Sequence, residues 1–369
     1  MVRLKSLDIF RGLTVAFMIL VNNGAGDEIY SALTHSKWNG LTPCDLVFPF
    51  FLFMVGMSTY LSLKKTSFEP SAAIYKKIAK RTLLLFIIGL GINWFDMICC
   101  GNGLDFGHLR IWGVMQRIAI CYGIVALIAI SINQRYILHI IIGLIIIYMG
   151  ILSFGNGYAY DATTNIIAQT DLHIFGADHL YHKSPVDPEG LLSTIPAIAH
   201  TLIGFWCCKN IQIPGQELYS KIKFLKVAGL VMVALGFFQS LIGFYINKRL
   251  WSPSYVFVTC GFAAWILGML VQIIDNPNEK SNTTAKEKKE SWFTIGWLAF
   301  GMNPLFLYVM SEMLAIVFGT FGIKEDVFNG IHHIITDGYL ASLVFALLYV
   351  ALHAIMGVWL YRKRIFIKI

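Results

Sequence analysis

The chain has 369 residues, of which 57% are hydrophobic and only 14% charged, with a net charge of +8 and a mean hydropathy of +0.66. A soluble domain carries about 25% charged residues, so this composition excludes a water-soluble globule of this size. The apolar residues come in blocks of about 20, the length that crosses roughly 30 Å of hydrocarbon. The basic residues lie in short loops beside these blocks, so nucleic acid is not an expected partner.

The apolar blocks predict an all-α, polytopic membrane protein: a bundle of about ten transmembrane helices in a single domain covering residues 1–369. In the first block, Asp8 and Arg11 interrupt the apolar run, which indicates an uncleaved span rather than a signal peptide. The predicted helices lie near residues 8–23, 44–63, 81–98, 111–131, 136–152, 190–208, 224–246, 254–274, 292–311 and 339–361.

Loop charge predicts the orientation of this bundle. Most of the 29 Lys and Arg residues fall on the side that holds both termini, and cytoplasmic loops carry such an excess, so both termini are predicted to be cytoplasmic. Residues 275–291 are polar and charged, which predicts a flexible cytoplasmic linker. The outer loops 24–43, 153–189, 247–253 and 312–338 are rich in Trp, His, Asn, Asp, Gly and Pro, so chemistry is expected there.

The first outer loop carries the densest group of polar candidates. Asn22 lies where the first span ends, Asp45 where the second begins, and His35 on the loop between them. A neutral imidazole can take a proton from an amine near neutral pH. A carboxylate can hold that imidazole in one tautomer, and amides can donate to a developing oxyanion. The loop is therefore a candidate acyl-transfer site, although a structural loop histidine fits the same pattern.

Ionisable residues inside predicted spans are costly and are candidates for function. Arg11 lies three residues after Asp8, so the two either form an ion pair or Arg11 meets an anionic ligand from the cytoplasm. Arg117 is predicted some eight residues into the fourth span, roughly 12 Å deep. Its planar guanidinium suits carboxylate or phosphate, and a buried pair with Asp45 or Asp96 is the alternative.

Several outer residues are candidates for binding a sugar. Trp38 and Trp251 fit sugar stacking, but also an interfacial aromatic belt. Glu189 could orient a sugar or serve as a carboxylate at a helix start. Asn39 and Asn303 could orient a sugar by hydrogen bonding. No metal site is expected, because the seven cysteines show no CxxC spacing and His332 and His333 cannot share one helix face.

The chain resembles the heparan-α-glucosaminide N-acetyltransferase family. The resemblance is carried by SLDIFRGLTVAFMILVNNGAG, by HSKWNGLTPCDLVFPFFLFMVGMS, and by shorter segments at 109–122, 187–204, 250–257 and 301–304. It implies that His35 is the family's acetyl-accepting or base histidine, that Asn22 is its motif asparagine, and that Asp45 is its motif aspartate. This chain has Cys44 where the family motif has Ala.

The resemblance implies an acetyltransferase that takes acetyl from cytoplasmic acetyl-CoA, held near Arg11 and Arg117, and transfers it to an amino sugar outside. This chain lacks the family's large luminal domain and extra first span, and its 22–35 loop is two residues longer. These departures predict a minimal bacterial form in the inner membrane, facing the periplasm, with a glucosamine-type acceptor rather than heparan sulfate. An amino-sugar transporter and a non-catalytic scaffold are the alternatives, and a homodimer is left open.

Overall fold

The computed structural model describes residues 4–101, 103, 105–181, 184–275 and 292–367. Apart from its first residue, the linker predicted at 275–291 lies outside the described residues. Within them the chain forms helices and no strand. The α-helices are α1 Lys5–Asn22, α2 Val47–Lys64, α3 Ala72–Cys99, α4 Val114–Ser131, α5 Ile137–Phe154, α6 Ile166–Phe175, α7 Thr194–Ile211, α8 Leu218–Leu241, α9 Pro253–Ile274, α10 Trp292–Met302, α11 Pro304–Thr320, α12 Ile323–Ile334 and α13 Gly338–Arg362.

Seven of these helices are long and apolar enough to cross a bilayer: α2 with the turn before it, α3, α4, α5, α8, α9 and α13. The pair α10 and α11 adds an eighth if it counts as one span, although the two helices are bent by 85°. α1 and α7 match predicted spans but are not among the seven; each is as long as α4, with 18 residues, and carries charged or polar side chains. The all-α membrane architecture is therefore confirmed for the described residues, while ten spans and the orientation of the termini stay predictions.

Three helical features differ from the predicted elements. α3 begins about nine residues before the predicted start at 81, because Ser71 caps it by accepting a hydrogen bond from the Ile74 N–H and a basic turn extends it beyond the apolar block. The predicted helix 292–311 is broken at Asn303, where Pro304 follows; proline disfavours helical conformation in the residue before it. α6 and α12 are short helices within the predicted outer loops 153–189 and 312–338.

The chain divides into two compact units, with the division falling inside α2 and α9. Unit 1 comprises Met1–His35, Thr42–Phe51 and Ile266–Ile369. In it, α1 and α10 cross with their backbones in contact: a Cβ on Gly12 would lie 1.9 Å from the Trp297 carbonyl oxygen, and one on Gly301 would lie 1.9 Å from the Asp8 carbonyl oxygen. Only glycine fits this crossing.

Unit 1 has two distinct ends. At one end, the start of α1 meets the α10–α11 break, since Arg11 donates to the Gly301 carbonyl and the Asn303 amide donates to the Ile365 carbonyl after α13. At the other end, the last residue of α1 approaches α11, and Ala25 N–H donates to Ser342 in the second turn of α13. The first outer loop therefore starts at the end of unit 1 that lies away from the termini.

Unit 2 comprises Ser36–Leu41 and Leu52–Trp265. The rest of α2 packs against α7 through glycine: a Cβ on Gly56 would lie 1.9 Å from the Thr201 carbonyl oxygen, and one on Gly204 would lie 2.1 Å from the Phe53 carbonyl oxygen. α4 and α5 also pack on α7. Large apolar side chains on α3, α5 and α8 are exposed, as expected for surfaces that face lipid; they include Leu83, Ile87, Ile146, Leu230 and Phe238.

Candidate functional site

The structure brings His35 and Asp45 together in unit 1. His35 Nδ1 lies 2.8 Å from Asp45 Oδ1. The Asp45 side chain is 0% exposed, whereas that of His35 is 47% exposed. An ionised carboxylate only accepts hydrogen bonds, so Nδ1 carries the hydrogen and the imidazole lone pair lies on Nε2. The basic nitrogen Nε2 therefore belongs to an imidazole whose other nitrogen is held by the buried Asp45 carboxylate.

Asp45 is fixed by the short 3₁₀ helix Pro43–Leu46 in which it lies. Its Oδ2 accepts from Thr42 N–H at 3.0 Å, and Asp45 N–H donates to the Thr42 carbonyl at 3.0 Å. The Thr42 hydroxyl lies 2.7 Å from the Thr34 carbonyl and 3.1 Å from Asp45 Oδ2, and it can donate to one of them at a time. This capping box and the contact with Thr34 join two segments of the loop and fix the carboxylate that orients His35.

Cys44 is a third side chain at this pair. Its Sγ lies 3.1 Å from His35 Nδ1 and 3.8 Å from Nε2, and the residue is buried. Because the Nδ1 hydrogen points to Asp45, the sulfur lies beside the imidazole edge rather than on the lone pair of Nε2. This position suits packing against the ring better than proton exchange with it.

A second aspartate–histidine pair lies on a loop of unit 2 and shows what distinguishes the first. His108 Nδ1 lies 2.7 Å from Asp105 Oδ2, but both side chains are more than half exposed. Hydrogen bonds from the Gly107 N–H and, to a smaller extent, from His108 lower the pKa of Asp105, and the hydrogen bond to Asp105 raises the pKa of His108. Both groups remain solvated, so this pair is held much less firmly than His35 and Asp45.

Asn22 is the last residue of α1, and its Nδ2 donates to Glu312 Oε1 at 3.3 Å. Glu312 lies in the middle of α11, among apolar residues, and not at a helix end as the predicted span 292–311 implied. Ionisable groups in such a setting mark functional sites. The contact fixes the amide plane of Asn22, and it gives a specific partner to Glu312, which the sequence marks only as one of the few ionisable residues in the predicted spans.

Two further candidates in unit 1 have intramolecular partners. Arg11 Nη1 lies 3.3 Å from Asp8 Oδ1 and donates to the Gly301 carbonyl at 3.2 Å, so the local ion pair that was one of two alternatives is present. Asn303 bonds through both ends of its amide: Nδ2 donates to the Ile365 carbonyl and Oδ1 accepts from Ile367 N–H. These bonds secure the segment after α13, and they favour that role over sugar binding.

Residues 36–41 of the first outer loop belong to unit 2. Trp38 Nε1 donates to the Tyr158 carbonyl at 3.2 Å, and its half-buried ring meets Tyr160 edge-on at 5.1 Å. Asn39 is exposed, and its Oδ1 accepts from Asn247 Nδ2 at 3.2 Å. Both side chains are anchored and still reach the surface, as a sugar-contacting residue must.

Glu189 and Trp251 have buried environments. Glu189 Oε2 and Asp187 Oδ1 each lie 2.9 Å from Arg110 Nη2, and α7 begins only at Thr194, so Glu189 is an ion-pair partner and not a helix-start residue. Trp251 is 1% exposed and lies edge-on to Tyr255 at 5.3 Å. A buried indole offers no open face for sugar stacking and cannot belong to an interfacial belt, so neither predicted role fits Trp251.

Arg117 lies in the first turn of α4, which begins at Val114, and not eight residues deep as predicted. It is fully buried. Its Nη2 donates to the Gly190 carbonyl at 3.0 Å and to Ser193 Oγ, and its guanidinium carbon lies 5.0 Å from the Trp251 ring centre. The arginine therefore ties the start of α7 to α4, and it makes a cation–π contact with the buried Trp251, on which His200 and Tyr255 also pack.

The Gly190–Leu191 peptide lies between Arg117 and Asp171 of α6. Asp171 Oδ1 accepts from Leu191 N–H at 2.9 Å, while the carbonyl of that peptide faces Arg117. A Cβ on Gly190 would lie 1.9 Å from Asp171 Oδ2, so a larger residue there would displace this carboxylate. Sequence reasoning missed Asp171, because nothing local marks a carboxylate that folds back on a peptide 20 residues away.

Burial raises the pKa of Asp171 to about 6. The hydrogen bond from Leu191 N–H and the charge of Arg117 oppose this rise in the pKa, and the charge of Asp187 adds to it. In the unfolded chain the Asp171 carboxyl ionises near its usual pKa of about 3.9. As the pH rises, the free energy of unfolding should therefore fall between about pH 4 and pH 6 and then level off. Asp171→Asn removes this penalty, and it is expected to stabilise the protein by about 1–3 kcal/mol near pH 7. Thermal unfolding in detergent against pH measures the effect.

Asp161→Asn is the matched control for this prediction. Hydrogen bonds from Thr163 lower the pKa of the exposed Asp161, so its replacement should not stabilise the protein at any pH. An unchanged pH slope in Asp171→Asn would show that another group controls the acid-range stability.

Comparisons with known proteins identify the family of this chain. Residues 3–246, which carry His35, Asp45, Asn22 and Arg117, match the family model described as heparan-alpha-glucosaminide N-acetyltransferase, catalytic. The chain belongs to this family. The heparan-alpha-glucosaminide N-acetyltransferases of Homo sapiens and Mus musculus are each 29% identical, over 429 and 422 aligned residues. These alignments cover 100% of this chain, which spans 60% of the length of either relative.

Proposed function

We propose that this member of the N-acetyltransferase family transfers acetyl from cytoplasmic acetyl-CoA to the amine of a glucosamine-type amino sugar on the outer side of a bacterial inner membrane. The observation that carries the proposal is the half-exposed His35 imidazole held at 2.8 Å by the buried Asp45 carboxylate. Family membership supports the reaction class, and the names of the two relatives support a glucosaminide acceptor.

The chemistry assigned to His35 is proton removal from the attacking amine. With Nδ1–H donating to Asp45, Nε2 accepts the amine proton while the amine nitrogen attacks the thioester carbonyl carbon. The carbon–sulfur bond then breaks, and the proton taken up by Nε2 passes to the departing CoA thiolate. Asp45 stabilises the imidazolium that forms between these steps.

A nucleophilic role for His35 uses the same geometry. Nε2 attacks the thioester carbonyl carbon and the carbon–sulfur bond breaks, so that CoA leaves as the thiolate and an acetyl-imidazolium forms beside Asp45. The amine then attacks the acetyl carbon, the bond from that carbon to Nε2 breaks, and the proton released by the amine passes to the CoA thiolate. Both routes need the lone pair on Nε2 and therefore the same Asp45 contact. They differ in whether acetyl rests on the protein in the absence of the amine.

The donor must approach His35 from the cytoplasmic side. Phe10 and Phe50 have ring centres 5.5 Å apart, so the first turn of α2, just after Asp45, packs beside the N-terminal half of α1. In the predicted orientation this half is cytoplasmic, which shortens the path that the thioester must cover. Arg11 near the start of α1 is the proposed contact for a CoA phosphate, whereas the bonds of Arg117 to Gly190 and Ser193 support a structural role.

Acetyl transfer across the membrane is tested in sealed liposomes that contain the purified protein. Acetyl-CoA is added outside and glucosamine is trapped inside, with protein-free liposomes as the control. N-acetylglucosamine should accumulate in the lumen. Product formed only when donor and acceptor share one side would contradict a transmembrane reaction, and no product in either arrangement would contradict the acetyltransferase.

Replacing Cys44 with Ala, the residue in the family motif, is expected to leave kcat within about threefold of wild type. The thiol lies beside the Nδ1 edge of His35, and its loss removes no hydrogen bond that the mechanism uses. The measurement is acetyl transfer by Cys44→Ala, with Cys121→Ala as a buried-cysteine control. A loss of a hundredfold at Cys44 alone would make the thiol part of the chemistry.

Glu312→Leu is expected to lower kcat/KM for the amine by about 10- to 100-fold, because it removes the acceptor that orients Asn22; one lost hydrogen bond to a charged group is worth roughly 1.5–3 kcal/mol. Glu312→Gln keeps an acceptor oxygen, so it should retain most of the activity. Equal losses in both variants would show that the charge of Glu312 matters and not its hydrogen bond to Asn22.

A further inference from the structure

α12 connects α11 to α13 in unit 1, so it lies where the chain turns back into the bilayer. It begins after Gly322, whose φ of 70° ends the preceding helix, and it stops before Asp337, whose side chain caps α13. α13 is long and apolar enough to span a membrane, and α11 belongs to the bent pair that passes the same test. A short helix between two such elements lies near the bilayer surface.

One side of α12 is an apolar stripe. Ile323, Val327, Ile331 and Ile334 are spaced by four, four and three residues, which places them on one helix face. Ile323 is 38% exposed, Val327 43% and Ile334 83%. Such a stripe is disfavoured in water, and Phe321 just before the helix extends it with a ring that is 72% exposed.

The other two sides of α12 have different surroundings. Phe328 packs on the first outer loop: a Cβ on Gly26 would lie 2.4 Å from its ring, and His332 stacks on the same ring at 5.7 Å. The third side is polar and exposed, with Glu325, Asn329 and His333. One face of α12 thus packs on protein, the second is polar and exposed, and the third is apolar and exposed.

We propose that α12 lies in the interface of the lipid bilayer, with this apolar stripe turned toward the acyl chains. The helix has 12 residues, about 18 Å at 1.5 Å per residue, so the stripe is too small for a stable dimer, which buries about 1,200–2,000 Å². Lipid requires no such area. Lys324 borders the stripe, and a lysine there can extend its ammonium to the headgroups.

Lipid contact by α12 also steadies the loop that carries His35. Besides Phe328 on Gly26, the rings of Tyr30 and Tyr339 lie 5.3 Å apart, and a Cβ on Gly338 would lie 2.1 Å from Glu28 Oε2. The segment from 24 to 34 therefore rests on the α12–α13 junction. The lipid contact of α12 does not depend on the proposed function, whereas its benefit to catalysis through the His35 loop rests on that function.

Spin labels at matched positions on α12 test the proposal. In the full-length protein with Cys99 and Cys100 changed to Ser, labels are placed on Val327→Cys, Ile334→Cys and Asn329→Cys and reconstituted in phosphatidylcholine–phosphatidylglycerol liposomes. At 327 and 334, collisions with oxygen should exceed those with a water-soluble nickel chelate severalfold, and the order should reverse at 329. This readout needs no catalytic activity.

Two results would overturn the proposal. Greater collision with the nickel chelate at both 327 and 334 would place the stripe in water. Dipolar broadening between labels at 327, lost on dilution with unlabelled protein, would show that a second copy covers the stripe. Because two stripe positions are labelled, misfolding of one variant leaves the other to decide.

Discussion

His35→Ala is expected to lower kcat for acetyl transfer by about 10²–10⁴-fold, the usual contribution of a positioned general base. The half-exposed imidazole holds the lone pair of Nε2 in place through its contact with Asp45, and alanine has no group that can take the amine proton. The KM for acetyl-CoA should change little, since His35 meets the thioester end of the donor. Initial rates over a range of both substrates measure these constants.

His108→Ala is the matched control, because it removes a histidine that also bonds an aspartate at 2.7 Å but on an exposed loop. Its kcat should stay close to that of wild type. A wild-type rate in His35→Ala would remove His35 from the mechanism even if the acetyl transfer itself were real.

Asp45→Asn is expected to lower kcat by about 10²–10⁴-fold while leaving the fold intact. Asparagine can still accept the Thr42 N–H through its oxygen, but its NH₂ then faces His35 Nδ1 and donates to it. The imidazole hydrogen moves to Nε2, so the nitrogen that must take the amine proton no longer has a lone pair. Exchange of the tautomer in an aspartate–histidine pair has an effect of this size in other enzymes.

Asp105→Asn makes the same chemical change in the exposed pair and should leave kcat unchanged. The imidazole tautomer can be followed by ¹⁵N NMR on histidine-labelled protein, which gives a readout that a packing defect would not produce. An Asp45→Asn variant that keeps its activity with hydrogen on Nε2 would contradict the assigned roles.

The part of the site predicted from sequence is local in the chain. Asn22, His35 and Asp45 lie within one loop and its two flanking helices. The Thr42-Pro43-Cys44-Asp45 stretch also carries the T-x-x-D spacing of a capping box, which the structure shows as the bonds that fix Asp45. Thr42 and Asp45 are only three residues apart, so the hydrogen bonds of the turn between them restrict where the Asp45 carboxylate can lie. Glu312 joins Asn22 from 290 residues away, and no periodicity reports that.

Two expectations that the structure contradicts share one cause, which is that burial depends on tertiary partners. Trp251 resembles an interfacial tryptophan in sequence, yet Arg117 covers its ring. Glu189 resembles a helix-start carboxylate, yet Arg110 pairs with it. The break between α10 and α11 did have a local signal in Asn303-Pro304, but the continuous apolar run on either side outweighed it. Hydropathy reports how apolar a segment is and not whether it is straight.

The most direct test of the account follows labelled acetyl in the wild-type protein. The purified protein is incubated with acetyl-labelled acetyl-CoA and glucosamine, and label is measured in the sugar and on the protein. The predicted result is label in N-acetylglucosamine, with label on His35 in the absence of sugar only if the histidine is the nucleophile. No transfer to glucosamine or to a panel of amino sugars, together with counterflow of glucosamine in liposomes that contain the protein, would contradict the acetyltransferase and indicate a transporter.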